Sequence, residues 1–183
     1  KCYEKMQKEG LLPDSITFTC ILNACSRIGA LERGKAIHRE IANAGLLDKN
    51  AVLGNALVDM YAKCGMLCKA EQVHDELCHQ SVASWNALIA GYAQHGRGHE
   101  ALACFERMQS EDVSPDVVTF TCVLKACGDT KSIDKGKEIH DVIVRKGLLE
   151  RNAVLGNALV NMYAKCGVLV KALQVLEELP IRN

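Results

Sequence analysis

Residues 55–65 read Asn-Ala-Leu-Val-Asp-Met-Tyr-Ala-Lys-Cys-Gly, and the same string returns at 157–167 with a single change. A diverged form, Asn-Ala-Leu-Ile-Ala-Gly-Tyr-Ala-Gln-His-Gly, occupies residues 86–96. When the chain is shifted by 102 residues, 13–81 aligns with 115–183 and 39 of the 69 aligned positions are identical. The sequence is therefore internally duplicated, and a smaller unit recurs within each copy.

Each small unit predicts two helices. Its apolar residues follow the i, i+3, i+4, i+7 spacing of one buried helical face, at Leu57, Met60, Tyr61 and Cys64. Gly65 is expected to end this first helix. The residues after it supply a second apolar face, at Ala70, Val73 and Leu77. A pair of helices this short cannot bury both faces alone, so neighbouring pairs must stack.

The start of the string recurs, in full or diverged form, at Thr19, Asn55, Asn86, Thr121 and Asn157. These positions are 36, 31, 35 and 36 residues apart. These spacings are typical of helical repeat arrays. We expect an all-α fold, a right-handed α-α superhelix of stacked helical hairpins with about eleven helices. Residues 1–14 supply one amphipathic helix that ends at Gly10, which corresponds to the second half of a hairpin.

The composition limits the kind of partner. Lys plus Arg and Asp plus Glu are 22 each, and the aromatic residues are one Trp, four Tyr and three Phe. These values argue against binding dominated by phosphate neutralisation or by serial aromatic stacking. No apolar run approaches the roughly 18 residues of a membrane span, so we expect a soluble chain with no membrane partner.

Five potential zinc ligands lie close together in the first copy, at Cys64, Cys68, His74, Cys78 and His79. The second copy keeps only the first of them, because its equivalents are Cys166, Val170, Leu176, Pro180 and Ile181. We therefore expect no metal site. The cysteines are expected to be free thiols, with Cys64 and Cys166 as small core residues.

No motif in the sequence indicates catalysis. The sequence contains no glycine-rich phosphate loop, no paired-carboxylate motif and no Cys-His-Asp arrangement. His38 and His140 occupy matching places in second helices, and a repeated position favours packing over chemistry. We expect neither enzymatic activity nor a cofactor.

Four strings resemble the pentatricopeptide repeats of the plant PLS class. They are Trp-Asn-Ala-Leu-Ile-Ala-Gly-Tyr at 85–92, Met-Tyr-Ala-Lys-Cys-Gly at 60–65, Gly-Lys-Ala-Ile-His at 34–38 and Gly-Lys-Glu-Ile-His at 136–140. That class alternates P, L and S motifs of about 35, 36 and 31 residues, and the same order fits this chain. The resemblance divides the chain into 1–14 (partial P), 15–50 (L), 51–81 (S), 82–116 (P), 117–152 (L) and 153–183 (S).

The resemblance implies sequence-specific binding of single-stranded RNA, one nucleotide per motif. In the family the fifth and last residues of a motif contact the base edge, and the second packs against bases. The base-reading pairs would be Thr19 with Asn50, Asn55 with Ser81, Asn86 with Asp116, Thr121 with Asn152, and Asn157 with Asn183. The packing residues would be Ile16, Val52, Ala83, Val118 and Val154. Hydroxyls, amides and a carboxylate offer the defined donors and acceptors that such reading needs.

The family's code implies the RNA sequence A-C-U-A-Y, in which Thr with Asn reads adenine. Asn55 with Ser81 resembles a cytosine reader, and Asn86 with Asp116 a uracil reader. The resemblance further implies a role as the specificity module of C-to-U RNA editing in a mitochondrion or chloroplast. The paired His-x-Glu and Cys-x-x-Cys signature of the zinc deaminases, which perform that chemistry, is not present as a pair.

Other interpretations remain open at this point. The array is alternatively a protein-interaction scaffold whose L motifs bind an organellar editing accessory protein, or a bare structural array. Asn55, Asn86 and Asn157 fit helix N-caps as well as base contacts. Asp116 follows a proline, where Asp is common in turns. On composition alone, the aliphatic second residues are more often core than surface: Val52, Val118 and Val154.

Overall fold

A computed structural model describes residues 2–47, 50–150 and 152–179. Within these ranges the chain forms eleven helices and no strand, in agreement with the sequence pattern. The helices are α1 (Cys2–Lys8), α2 (Ser15–Ile28), α3 (Leu31–Asn43), α4 (Ala51–Lys63), α5 (Leu67–Asp75), α6 (Val82–Gln94), α7 (Gly98–Ser110), α8 (Val117–Thr130), α9 (Ile133–Arg145), α10 (Ala153–Lys165) and α11 (Leu169–Glu178). The chain divides into two compact units, 1–88 and 89–183, and each is described by itself.

In the first unit, consecutive helices form packed hairpins. Helix α2 contacts α3 and α4, and α4 contacts α3 and α5. Each helix turns its apolar face toward these neighbours, as the spacing of the sequence predicts. The fully buried side chains include Leu22 of α2, Ile37 and Ile41 of α3, and Leu57 of α4.

The second unit repeats this plan. Helix α8 contacts α7, α9 and α10, and α10 contacts α9 and α11. Phe105 of α7 and Phe120 of α8 meet edge to face, with ring centroids 6.4 Å apart and planes at 63°. Ile143 of α9 and Leu159 of α10 are completely buried.

A glycine in each copy lets a second helix approach the next first helix closely. A Cβ built on Gly34 would lie 2.4 Å from the sulfur of Met60. At the equivalent Gly136 the distance to the sulfur of Met162 is 2.6 Å. A larger residue at either glycine of the repeated Gly-Lys-x-Ile-His string would therefore have to displace the methionine side chain of the next first helix.

The placement of two cysteines corrects a prediction. Cys64 and Cys166 are not core residues but the C-caps of α4 and α10, and both are partly exposed. The apolar stripe does not extend to them because the helix ends one residue earlier, and the chain then turns through a glycine with φ of 78° in each copy. Cysteines that do enter the core include Cys25 and Cys127, and burial raises the pKa of the Cys127 thiol to about 12.

Nine of the ten cysteines have side chains that the structure describes, and all nine are free thiols. Over the described ranges, no cluster of three or more His, Cys, Asp or Glu side chains is placed to hold a metal ion. None of the described helices is both long and apolar enough to span a membrane.

The ends of α2 and α8 predict a stabilising substitution. Gly29 ends α2 with a φ of 67°, whereas Lys131 occupies the equivalent position after α8 with a φ of 55°. A side chain is disfavoured in this left-handed conformation, so Lys131→Gly should raise the free energy of unfolding by about 0.5–1 kcal/mol. Urea unfolding measures the change. The reverse substitution, Gly29→Lys, should lower stability, and an unchanged or lowered stability of Lys131→Gly would contradict the prediction.

Candidate nucleic-acid interface

The candidate residues gather at the N-terminal ends of the first helices. Asn50, Asp116 and Asn152 each directly precede the first residue of a helix, namely α4, α8 and α10. The second and fifth residues of each predicted motif then lie within the first turns of that helix. Because they are three positions apart, they are neighbours on one helical face.

The aliphatic second residues are exposed. The exposed fractions are 71% for Ile16, 61% for Val52, 52% for Val118 and 60% for Val154. The alternative that the valines belong to the core is therefore wrong. A helix that buries Leu53 rotates its neighbour Val52 away from the core by about 100°. Ala83 is exposed at the same position of α6.

In the first unit, a surface cavity of about 210 Å³ brings four candidate residues together. Ile16 and Thr19 of α2 line it together with Asn50 and with Val52 of α4. A base-reading pair and two aliphatic side chains from successive motifs thus surround one space.

The second predicted pair of this unit is joined directly. The Ser81 hydroxyl donates a hydrogen bond of 3.1 Å to Oδ1 of Asn55, although the two residues are 26 positions apart. Both side chains are partly exposed. The structure therefore brings together the two residues that the family resemblance pairs.

The capping residues are not the ones that the sequence alternative named. Asn55, Asn86 and Asn157 lie inside α4, α6 and α10, four residues after the first, so the N-cap interpretation of them is wrong. Two of the last residues of the motifs, Asn50 and Asp116, cap a helix instead. Oδ1 of Asn50 accepts from the backbone N–H of Val52 at 3.1 Å and of Leu53 at 3.2 Å. Asp116 accepts from the backbone N–H of Thr119 at 2.9 Å.

The two threonines at the fifth position share one conformation. The Thr19 hydroxyl donates to the carbonyl of Ser15 at 2.8 Å, and that of Thr121 donates to Val117 at 2.7 Å. Because its proton is used within the helix, each hydroxyl presents acceptor lone pairs to its surroundings.

In the second unit the predicted pair is less closely assembled. Thr121 lines a largely apolar cavity of about 240 Å³ between α6, α8 and α10, together with Lys125 and Met162. Among the described contacts no hydrogen bond joins Thr121 to Asn152, whose Nδ2 donates to the Leu148 carbonyl at 3.2 Å.

The remaining predicted base-reading residues are Asn86, Asp116, Asn157 and Asn183. Asn86 lies on α6 in the first unit and Asp116 precedes α8 in the second. Asn157 is exposed on α10. Asn183 lies outside the described residues.

Charged residues that the sequence analysis did not single out lie further along the same helices. In the first unit, Asp59 accepts from the Ser26 hydroxyl at 3.0 Å and from Lys63 at 2.9 Å. In the second, Lys165 donates to Asp129 at 2.5 Å. Each of these four Asp and Lys residues lies four or eight positions after the fifth residue of its repeat, and therefore on the same helical face. This spacing could have identified them from the sequence.

The two repeated histidines pack against tyrosines. Nδ1 of His38 lies 2.9 Å from the Tyr61 hydroxyl, and His140 and Tyr163 repeat this distance. Burial lowers the pKa of both histidines below 6.5, while Lys69 beside His38 and Lys171 beside His140 act in the same direction. Glu76 opposes the shift at His38, and Asp141 and Glu178 oppose it at His140.

These histidines predict a loss of stability in acid. The unfolded chain protonates them from about pH 6.5 downward, whereas the folded chain resists protonation, so the unfolded state binds more protons in that range. The unfolding midpoint should fall as pH drops from 7 to below 6.5. Urea unfolding at several pH values measures this, and His140→Asn should flatten the dependence. His99→Asn, at an exposed site, is the control, and an equal effect of both variants would contradict the assignment.

Solved structures share this fold. The crystal structure of the pentatricopeptide repeat protein PPR10 from maize matches 98% of this chain and 27% of its own, with a TM-score of 0.71 and 25% identity. PPR10 in complex with an 18-nt psaJ RNA element matches 96% of the chain and 26% of its own, with a TM-score of 0.78 and 22% identity. Nuclear proteinaceous RNase P 2 from Arabidopsis thaliana gives a TM-score of 0.64 over 91% of the chain and 38% of its own, at 15% identity. The all-α helical-hairpin repeat fold is confirmed.

Curated relatives match along nearly the whole chain. The pentatricopeptide repeat-containing protein At2g13600 of Arabidopsis thaliana is 39% identical over 183 residues, which is 100% of this chain and 26% of that protein. At1g11290, chloroplastic, from the same plant is 36% identical over 99% of this chain and 22% of its own length. The chain thus spans about a quarter of the length of these relatives.

Family models match the repeats themselves. The model for the PPR repeat matches residues 16–46, 55–82, 118–148 and 157–183, and a second one, the PPR repeat family, matches 80–129. These segments together cover most of the chain. The chain therefore belongs to the pentatricopeptide repeat family.

Proposed function

We propose that this chain binds single-stranded RNA sequence-specifically, with one nucleotide per repeat. The observation that carries the proposal is the cavity of the first unit, where Thr19 and Asn50 lie beside the exposed aliphatic side chains of Ile16 and Val52. A base placed there would meet polar groups at its edge and apolar groups at its faces. The RNA complex of PPR10, a protein of the same fold, supports the proposal.

The repeat boundaries are part of this proposal. Each proposed full repeat, of the L, S or P type, begins on the first residue of a first helix: Ser15, Ala51, Val82, Val117 and Ala153. This agreement supports the PLS division, in which every last residue precedes the next first helix. The five repeats would read A-C-U-A-Y in the order of the chain.

Selection from a randomised RNA pool tests RNA binding together with the order of the letters, where a letter is the nucleotide that one repeat reads. The chain should enrich RNAs that contain A-C-U-A-Y. The variant Thr19→Val keeps the side-chain volume but removes the hydroxyl. It should reduce the preference for A at the first letter and leave the preferences at the other letters unchanged. A pool that stays random, or one whose enrichment depends only on duplex structure, would contradict RNA reading by these repeats.

The proposed groove predicts a weak dependence on salt. Lys63 and Lys165 are already paired with Asp59 and Asp129, and the formal net charge of the chain is zero. If only about two phosphates are neutralised, the slope of log affinity against log salt is about −1.4. Titrations between low and moderate salt measure this slope. A slope several times steeper would show that a basic surface dominates binding.

We further propose that the RNA-binding array is the specificity module of C-to-U RNA editing in a plant organelle. A relative at 36% identity is named chloroplastic, which supports an organellar setting. In this role the chain selects a site by binding, and the cytidine chemistry belongs to another domain or protein. Loss of editing at one organellar site after removal of the parent gene, with other sites unchanged, is the expected result.

A second candidate function is favoured by a charged surface cavity in the second unit. This cavity of about 440 Å³ surrounds His140 and Tyr163, and Lys137, Asp141 and Lys171 line it with both signs of charge. Such a surface suits a protein partner, and we propose an organellar editing accessory protein that binds the second helix of an L repeat.

Pull-down of that accessory protein separates the two functions. Asp116→Ser should leave capture unchanged, whereas Asp141→Lys should abolish it. Glu150→Lys makes the same change of charge at an exposed residue that does not line the cavity, so it should be neutral. Capture that survives Asp141→Lys would contradict binding at this surface.

A further inference from the structure

We infer that the third residue of a first helix positions the base-reading residue three places before it, and so determines how that residue meets the base. The inference deepens the proposed RNA-binding function and rests on it. In this chain, a hydroxyl at the third position follows Asp or Ser, and leucine follows Asn. For the base-reading residues the pairs are Asn50 with Leu53, Ser81 with Ser84, Asp116 with Thr119, and Asn152 with Leu155, while Asp14 with Thr17 has the same spacing without an assigned letter.

Thr119 holds Asp116 through a closed set of hydrogen bonds. The backbone N–H and the hydroxyl of Thr119 both donate to the same oxygen, Oδ1 of Asp116, at 2.9 and 3.0 Å. The backbone N–H of Asp116 donates in return to the Thr119 hydroxyl at 3.1 Å. Thr119 is completely buried, so its side chain is fixed by packing. The carboxylate is thereby held in one orientation, and it presents only acceptors, as a uracil N–H requires.

Ser84 positions Ser81 as Thr119 positions Asp116. The Ser81 N–H donates to the Ser84 hydroxyl at 3.1 Å, and that hydroxyl donates to the Ser81 carbonyl at 2.9 Å. The Ser84 N–H also donates to the Ser81 hydroxyl at 3.3 Å. Because the Ser81 hydroxyl itself donates to Asn55, the completely buried Ser84 positions both base-reading residues of one repeat.

Leucine at the third position provides no hydroxyl, and the two Asn residues that precede a leucine differ: Nδ2 of Asn152 donates to the Leu148 carbonyl, whereas Asn50 caps α4. Leu53 has no hydroxyl, so Asn50 receives only backbone N–H donors, from Val52 and Leu53. Backbone N–H groups require an acceptor, so the amide oxygen must face the helix end. The amide nitrogen then faces away from it and offers donors, the opposite of Asp116. An adenine or cytosine ring nitrogen is the matching acceptor.

The chain also contains a matched control for this inference. Thr17 donates its N–H and its hydroxyl to Oδ1 of Asp14, both at 2.7 Å, as Thr119 does to Asp116. These hydrogen bonds hold the pKa of Asp14 below its usual range. Asp14, however, has no base-reading partner among residues 1–14, and no letter of A-C-U-A-Y is assigned to it. Breaking this contact should alter helix capping without altering any letter.

Competitive binding with RNAs that differ at one letter tests the inference. Thr119→Val should reduce the preference for U over C at the third letter by about 3–10-fold, the size of one hydrogen bond, and leave the other letters unchanged. Ser84→Ala should reduce the preference at the second letter by a similar factor. Thr119→Ser, which restores the hydroxyl, should rescue the third letter. Thr17→Val should change no preference.

The outcomes separate this inference from the proposed function. If the parent chain shows no preference at any letter, the RNA-reading function fails and the inference fails with it. If the parent reads the RNA but Thr119→Val and Ser84→Ala keep full preference, only the positioning role is wrong. An equal loss of preference in Thr17→Val would show that the effect is general destabilisation. Circular dichroism of each variant establishes that it is folded.

Discussion

Trp85→Ala is expected to lower the free energy of unfolding by about 3–5 kcal/mol. Trp85 belongs to α6 and is the only tryptophan of the chain, and its side chain is completely buried. Its ring meets the buried His74 of α5 edge to face, with centroids 4.2 Å apart and planes at 63°. Alanine would remove this contact between two consecutive helices and leave a cavity. Since each hairpin depends on its neighbours for burial, the loss should weaken the whole first unit.

Far-UV circular dichroism in urea measures this effect, because the tryptophan signal itself is lost. Trp85→Phe keeps an aromatic ring and most of the volume, so it should lose less than half as much. A control in the same helix is Ala83→Gly, at an exposed position in the first turn, which should cost less than about 1 kcal/mol through helix propensity alone. If Trp85→Ala loses no more than this control, the tryptophan does not hold α5 and α6 together.

The helices themselves were predictable because their signals are local. The spacing of Leu57, Met60 and Tyr61 marks a buried face, and a glycine with positive φ follows the helix in the structure as expected. The failure at Cys64 has a physical cause. Periodicity extends a stripe past the last residue of a helix, whereas the backbone there has already begun to turn.

The site was less predictable because its evidence is non-local. Val52 carries the same chemistry as a core valine, and only its angular position relative to Leu53 shows that it faces outward. The hydrogen bond between Asn55 and Ser81 depends on the packing of two hairpins, which no spacing within one helix encodes. The N-cap alternative failed for Asn55 because a residue's position within a helix follows from the helix start, and the sequence leaves that start uncertain by several residues.

The second large effect is expected at one nucleotide. Asp116→Ser should move the preference at the third letter from U toward C by about 10–100-fold, since a well-formed polar base contact discriminates by about 1–3 kcal/mol. A carboxylate accepts from a base N–H, whereas a hydroxyl both donates and accepts. Ser81 occupies the equivalent position in the repeat that we propose to read C. The Thr119 hydroxyl would remain to hold the introduced serine, as Ser84 holds Ser81.

Gel shifts with RNAs containing A-C-U-A-C and A-C-C-A-C measure this change. Asp134→Ser makes the same substitution at an exposed residue in the first turn of α9, a second helix, and should leave both affinities unchanged. Because Asp116 also caps α8, the variant will lose some stability, so the ratio of the two affinities is the decisive quantity rather than either one. A ratio equal to that of the parent would show that Asp116 does not read a base. A change at a different letter would keep the reading mechanism but show that the repeats are assigned to the wrong nucleotides.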